Sequence, residues 1–151
     1  MRKVMTTVVV VGAAVALVAA GCGGDDDDGG GEALSKEEFI AQGDENCARA
    51  DQELEATEQE AFSGGEPSSD EVNQFVTEEL VPNIQGQIDF FRGLNPPEAD
   101  QDRVNEILDT AQEAIDELEE DPSQLEGGPG GEKLNQAGNE LQEFGFEECG
   151  G

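Results

Sequence analysis

The sequence predicts an all-α domain, a four-helix up-down bundle that occupies residues 34–151. Apolar residues recur every three or four positions along four long stretches of this part of the chain. Segments rich in glycine and proline separate these stretches, and none of useful length alternates as a strand would. Four amphipathic helices with short connections bury their apolar faces most simply as an antiparallel bundle.

Two capping boxes mark the starts of the first two predicted helices. Ser35 with Glu38 opens the first helix, and Ser68 with Glu71 opens the second. The first helix is expected to end near Phe62, before a Ser-Gly-Gly-Glu-Pro segment. Its inward face combines apolar and small residues: Ile40, Gly43, Cys47, Ala50, Leu54, Thr57 and Ala61. The small residues would let a neighbouring helix approach closely.

Pro82 interrupts the second helical stretch, which ends at the Asn-Pro-Pro segment of residues 95–97. A proline inside a helix removes one backbone hydrogen bond and disfavours helical geometry in the residue before it, here Val81. We therefore expect either one kinked helix or two helices that meet between Leu80 and Pro82.

Two further helices are predicted after this point, one from about residue 98 to 120 and a short one from about 132 to 144. The glycine-rich segment 127–131 between them is expected to be a flexible loop. Gly145 is expected to end the last helix in a Schellman turn, with Phe146 packing back toward the helix.

The N-terminal residues 1–21 predict a signal peptide. Arg2 and Lys3 precede an uncharged run from Val4 to Ala20, which has the length and composition of a signal-peptide core. The run is short for a membrane-spanning helix. An ordinary secretory signal and an uncleaved anchor helix are the alternatives for this segment.

The residues that lead to Cys22 read Leu-Val-Ala-Ala-Gly, and this motif resembles the lipobox of bacterial lipoproteins. Ala19 stands where the lipobox more often has leucine. The resemblance implies that Cys22 becomes the lipidated N-terminus of the mature chain. It also implies that the protein is held by lipid on the extracytoplasmic face of the cell membrane.

Residues 22–33 predict a flexible tether after the lipidated cysteine, because glycines flank an uninterrupted run from Asp25 to Asp28. Calcium sites need carboxylates interleaved in a defined loop, so four adjacent aspartates are interpreted as a solvated linker. The signal, the lipobox and the tether together resemble small lipoproteins of actinobacteria and related high-GC Gram-positive bacteria. This resemblance covers about the first 31 residues and implies where the protein is targeted, not what activity it has.

Cys47 and Cys149 are predicted to form a disulfide. The chain has 3 cysteines, and lipidation of Cys22 would leave an even pair. Export would place this pair in an oxidising compartment, where such thiols usually join. For the bond to form, the segment after Gly145 must fold back along the bundle. The alternative is two free thiols.

The composition restricts the function of the mature chain. Two of the 7 basic residues lie in the signal peptide, so five remain against 37 acidic ones, a net charge near −32. Such a surface excludes nucleic acid as a partner. The chain has no histidine, which excludes Ser-His-Asp and Cys-His catalysis. We expect a non-enzymatic envelope module without cofactor or metal that binds an envelope protein or a small ligand. The alternative is a carboxylate-dependent hydrolase acting on envelope glycan.

Two clusters outside the cysteines are candidate sites. Phe90, Phe91 and Arg92 precede the Pro-Pro segment and carry side chains that often anchor interfaces. A core position for Phe91 and a half-buried position for Phe90 are the simpler interpretation. The acidic residues from Asp116 to Asp121 end the third predicted helix, where negative charge opposes the helix dipole. A bound cation would relieve this repulsion, but an acidic chain also produces such clusters by chance.

Overall fold

The computed structural model describes residues 33–150. The predicted signal peptide, Cys22 and nearly all of the predicted tether lie outside the described residues. The helices are α1 (Lys36–Ala61), α2 (Ser69–Phe75), α3 (Val81–Gly93), α4 (Gln101–Glu120) and α5 (Pro129–Phe144). A π-helical turn (Val76–Leu80) joins α2 to α3, and a 3-10 turn (Pro122–Leu125) lies between α4 and α5.

The predicted all-α bundle is confirmed, because α2 and α3 form one continuous rod and the described part of the chain therefore contains four rods without a strand. Consecutive rods lie side by side. They run antiparallel, because the end of one rod lies toward the start of its neighbour, as in the pairs Phe62–Phe75, Arg92–Asp109 and Arg103–Glu143. None of the described helices combines the length and the hydropathy that are needed to cross a membrane.

Both predicted capping boxes are present. The backbone N–H of Glu38 donates to the Ser35 hydroxyl at 3.3 Å, and the Ser35 backbone N–H donates to the Glu38 carboxylate at 3.1 Å. Ser68 and Glu71 repeat the arrangement at the start of α2. Hydrogen bonds from these serines lower the pKa of both glutamates. Each box therefore satisfies donors that a helix start leaves unpaired.

The π-helical turn shows how the second rod accommodates Pro82. The Val81 backbone N–H donates to the carbonyl of Val76, five residues earlier rather than four. Pro82 has no N–H, and its ring would clash with the carbonyl four residues before it in a regular α-helix. The wider turn removes this conflict, so the rod continues through the proline instead of breaking.

The α4–α5 connection differs from the sequence prediction. Segment 127–131 was expected to be a flexible loop, but α5 begins at Pro129, and Gly130 and Gly131 are buried in its first turn. A Cβ at Gly131 would overlap the carbonyl of Leu125, and one at Gly130 would lie 2.9 Å from the Leu118 side chain. The glycines thus serve close packing.

The start of α4 also differs from the sequence prediction. The helix begins at residue 101 rather than 98, because a turn precedes it in which the Asp100 N–H donates to the Pro97 carbonyl.

The core has two parts along the bundle axis. An aromatic part lies beside the start of α1 and contains the disulfide; its buried members are Phe39, Cys47, Phe91, Val104, Leu108, Phe144, Phe146 and Cys149. An aliphatic part follows toward the other end; its buried members are Val76, Val81, Ile88, Ile107, Ala111, Ile115, Leu118 and Ala137. We call these the aromatic core and the aliphatic core.

Gly43 lets two rings of the aromatic core approach the backbone of α1. A Cβ there would overlap the ring of Phe146 and lie 2.7 Å from Cε1 of Phe91. The sequence predicted close approach of a neighbouring helix at these small residues, whereas at Gly43 the groups that approach are the rings of Phe91 from α3 and of Phe146, which follows α5.

Two glycine-to-alanine substitutions test this packing. Gly43→Ala is expected to destabilise the domain by about 1–2 kcal/mol, because overpacking outweighs the better helix propensity of alanine. Gly86→Ala is the matched control: it is also helical, nothing lies within 4 Å of its added methyl group, and it should stabilise by about 0.5–1 kcal/mol. Urea unfolding midpoints measure both effects. Equal changes at the two positions would contradict the role of Gly43.

Candidate functional site

Cys47 and Cys149 form a disulfide, with their Cα atoms 5.2 Å apart. Both cysteines are buried within the aromatic core. Cys47 belongs to the inward face of α1, and Cys149 follows α5, so the chain does fold back along the bundle as the sequence required. The bond joins the first rod to the segment that follows the last rod.

This C-terminal tail, residues 145–150, is held along its whole length. It starts with the predicted Schellman turn: Gly145 has φ 126°, and the Phe146 N–H donates to the Leu141 carbonyl at 3.1 Å. One carboxylate oxygen of Asp44 then accepts two backbone N–H groups of the tail, those of residues 147 and 148, at 3.0 Å each. Finally, Gly150 lies directly against Gly138 of α5.

The tail also changes the surroundings of a nearby carboxyl group. Burial raises the pKa of Asp51, and the charge of Glu148 raises it further. A raised carboxyl pKa is one mark of a general acid. Asp51 is only partly buried, since much of the residue is exposed, and it lines neither of the two cavities described in this structure. Its raised pKa therefore reflects partial burial and the charge of Glu148 rather than a catalytic pocket.

The two ends of the bundle are built differently. The Leu34 N–H donates to the Asn95 carbonyl at 2.9 Å, which places the start of the domain beside the α3–α4 link. The Gly145 turn lies at this same end, which we call the tether end. The α1–α2 loop and the α4–α5 connection lie at the opposite end, which we call the distal end.

The distal end carries an open groove of about 430 Å³. It lies between the start of α2 and the 3-10 turn, which contact each other in this structure. Its lining mixes apolar, hydroxyl, amide and acidic groups: Glu66, Pro67, Ser69, Val72, Asn73, Pro122, Ser123, Leu125 and Glu126. We call this feature the distal groove. By contrast, the cavity within the aromatic core measures only about 10 Å³, so that end is closely packed.

The Phe90–Arg92 cluster divides between core and surface. Phe91 is buried and meets Phe39 and Phe146, with ring centroids 5.8 and 5.5 Å apart. Phe90 is half-buried against it. The exposed Arg92 guanidinium donates to the Gln112 side chain at 3.0 Å. The structure thus gives Phe91 and Phe90 the core and half-buried positions that the simpler sequence interpretation predicted, and it leaves Arg92 on the surface.

The acidic cluster at the end of α4 does not converge on one point. Glu117 accepts from Lys133 of α5 at 2.7 Å, Asp116 accepts from Gln112 at 3.1 Å, and Asp121 caps the 3-10 turn through Ser123. The hydrogen bonds to Glu117 and Glu113 raise the pKa of Lys133. Within residues 33–150, no three acidic or cysteine side chains are arranged to hold a metal ion.

Negative charge is nevertheless concentrated at the distal end. Residues 51–71 and 113–133 contain many acidic side chains and a single basic one, Lys133. α1 and α4 both end here without a basic residue in the last turn, so the negative ends of two helix dipoles add to these charges. The groove therefore opens in a strongly negative field.

The chain matches no protein-family model, and no curated protein or solved structure is significantly similar to it. The site must therefore be interpreted from its own residues. Sequence reasoning missed the distal groove, because its two walls lie about 50 residues apart along the chain and neither carries a recognisable motif.

Proposed function

We propose that this chain is a lipid-anchored envelope lipoprotein whose helical domain acts as a non-enzymatic binding module. Cys22 is its attachment point to the extracytoplasmic face of the cell membrane. The module presents the distal groove to an envelope protein or a ligand.

The observation that supports this proposal is the polarity of the bundle. The tether joins the domain at an end that is closed by the aromatic core, the tail and the disulfide. The open groove lies at the opposite end, nearly a full α1 helix away. A helix of 26 residues is about 39 Å long at 1.5 Å per residue, so the groove opens about one helix length from the point at which the tether joins the domain.

The anchor is tested by replacing Cys22 with serine. We expect Cys22→Ser to move the protein from the membrane fraction to the soluble or secreted fraction, because the lipid provides the only strong membrane attachment that we propose. Ala19→Leu is the control: it brings the lipobox nearer to its consensus and should leave the protein in the membrane. Retention of Cys22→Ser in the membrane at the parent's level would contradict lipidation at this residue.

The binding role is tested by site-specific photocrosslinking on intact cells. A photoreactive amino acid at Ser123 lies in the groove, and one at Asn105 lies on an exposed face of α4 near the tether end. We expect a discrete adduct from position 123 that is absent from position 105. Equal labelling at both positions, or labelling at neither, would argue against a binding role for the groove.

A further inference from the structure

We propose that the distal groove binds a short basic peptide segment of a partner protein, in which lysine or arginine side chains accompany apolar ones. This inference rests on the proposed function of the domain as a binding module, and it adds the chemistry of the ligand. Two features of the groove lead to it, the apolar residues within its mixed lining and its charge.

The lining provides an apolar contact surface. Val72 and Leu125 are half-buried and pack against the aliphatic core, so their positions are fixed by the fold. Pro67 and Pro122 add rigid apolar surface on each side. The groove is open, and its volume of about 430 Å³ gives room for several side chains of a ligand, since ligand clefts measure roughly 300–1,000 Å³. A hydrated inorganic cation would leave this apolar surface uncovered, whereas side chains of a peptide would cover it.

The charges select a cationic ligand. Glu66 and Glu126 are exposed in the lining, and no basic residue occurs in segments 62–73 or 121–128. The ends of α1 and α4 nearby contribute further negative potential. Long-range attraction therefore raises the local concentration of a basic segment, while Glu66 and Glu126 supply partners for its charged ends. An acidic segment would be repelled by the same field.

The experiment titrates three labelled synthetic peptides with the mature lipidated protein in detergent micelles, using fluorescence anisotropy. Valine alternates with lysine in the first peptide, with serine in the second and with glutamate in the third. We expect the lysine peptide to bind more than about tenfold more tightly than the other two at moderate salt. Equal affinity for the serine peptide would overturn the basic class of ligand and leave the binding module standing.

Paired substitutions separate the groove from the overall charge of the domain. Glu66→Gln with Glu126→Gln should weaken lysine-peptide binding roughly fivefold, as expected for two exposed ion pairs. The control pair, Glu98→Gln with Glu106→Gln, removes the same charge from exposed positions outside the groove and should change affinity much less. Equal losses from the two pairs, or no binding of the lysine peptide, would overturn the proposal.

Discussion

Replacing both Cys47 and Cys149 with alanine is expected to lower the free energy of unfolding by about 4–5 kcal/mol. The two cysteines are 102 residues apart. In the chain-entropy model, a closed loop of this size restricts the unfolded chain by about 4.7 kcal/mol. A typical domain has a total stability of only about 5–15 kcal/mol, so the loss would bring this one close to unfolding.

The measurement is urea unfolding followed by circular dichroism, without reductant. Cys22→Ala serves as the parent, since it removes the proposed lipidation site and leaves one disulfide and no free thiol. Reducing the disulfide of the Cys22→Ala parent under denaturing conditions should lower its stability as much as replacing Cys47 and Cys149 does. A loss below about 1 kcal/mol would show that Asp44 and the packing of Phe146 hold the tail without the bond.

Phe39→Ala is expected to cost about 3–5 kcal/mol, the range for removing a fully buried aromatic side chain. Phe39 is completely buried and lies at the centre of the aromatic core. Its ring centroid is 5.8–5.9 Å from those of three other phenylalanines, Phe91, Phe144 and Phe146. Because these rings come from α3, α5 and the tail, the cavity would weaken the contacts of α1 with all three.

Phe62→Ala is the control for this substitution. Phe62 is half-buried at the end of α1, and its ring meets Phe75 at 5.2 Å. It should cost no more than about half as much, since much of its surface is already exposed. Thermal and urea unfolding of the two variants give the comparison. Similar losses would mean that the aromatic core is not the main source of stability at the tether end.

Features that depend on neighbouring residues were predictable from the sequence. A capping box needs only two residues three positions apart, so Ser35 with Glu38 and Ser68 with Glu71 could be recognised directly. The disulfide was predicted from cysteine count and the expected compartment, and the structure brings this pair together. Around Pro82, the sequence left a kink and a break both open, because the choice depends on packing around the turn.

Apart from the disulfide, features that depend on distant parts of the chain were not predictable. Gly130 and Gly131 favour a loop by their intrinsic propensity, but contacts with Leu118 and Leu125 place them inside α5. The distal groove likewise arises only when the start of α2 meets the 3-10 turn. In both cases, tertiary packing decides the structure, and one sequence gives no sign of which segments will meet.

The disulfide makes a covalent ring of residues 47–149, and both walls of the distal groove belong to that ring. If a partner pulled on the groove against an anchored tether, the force would divide between two arms of the ring, one through α1 and one through α5. The arms meet at Cys47. Between Ala33 and Cys47, a single segment of polypeptide would carry the whole tension. The start of α1, with its capping box and the Leu34–Asn95 hydrogen bond, would therefore bear load that no second covalent path shares.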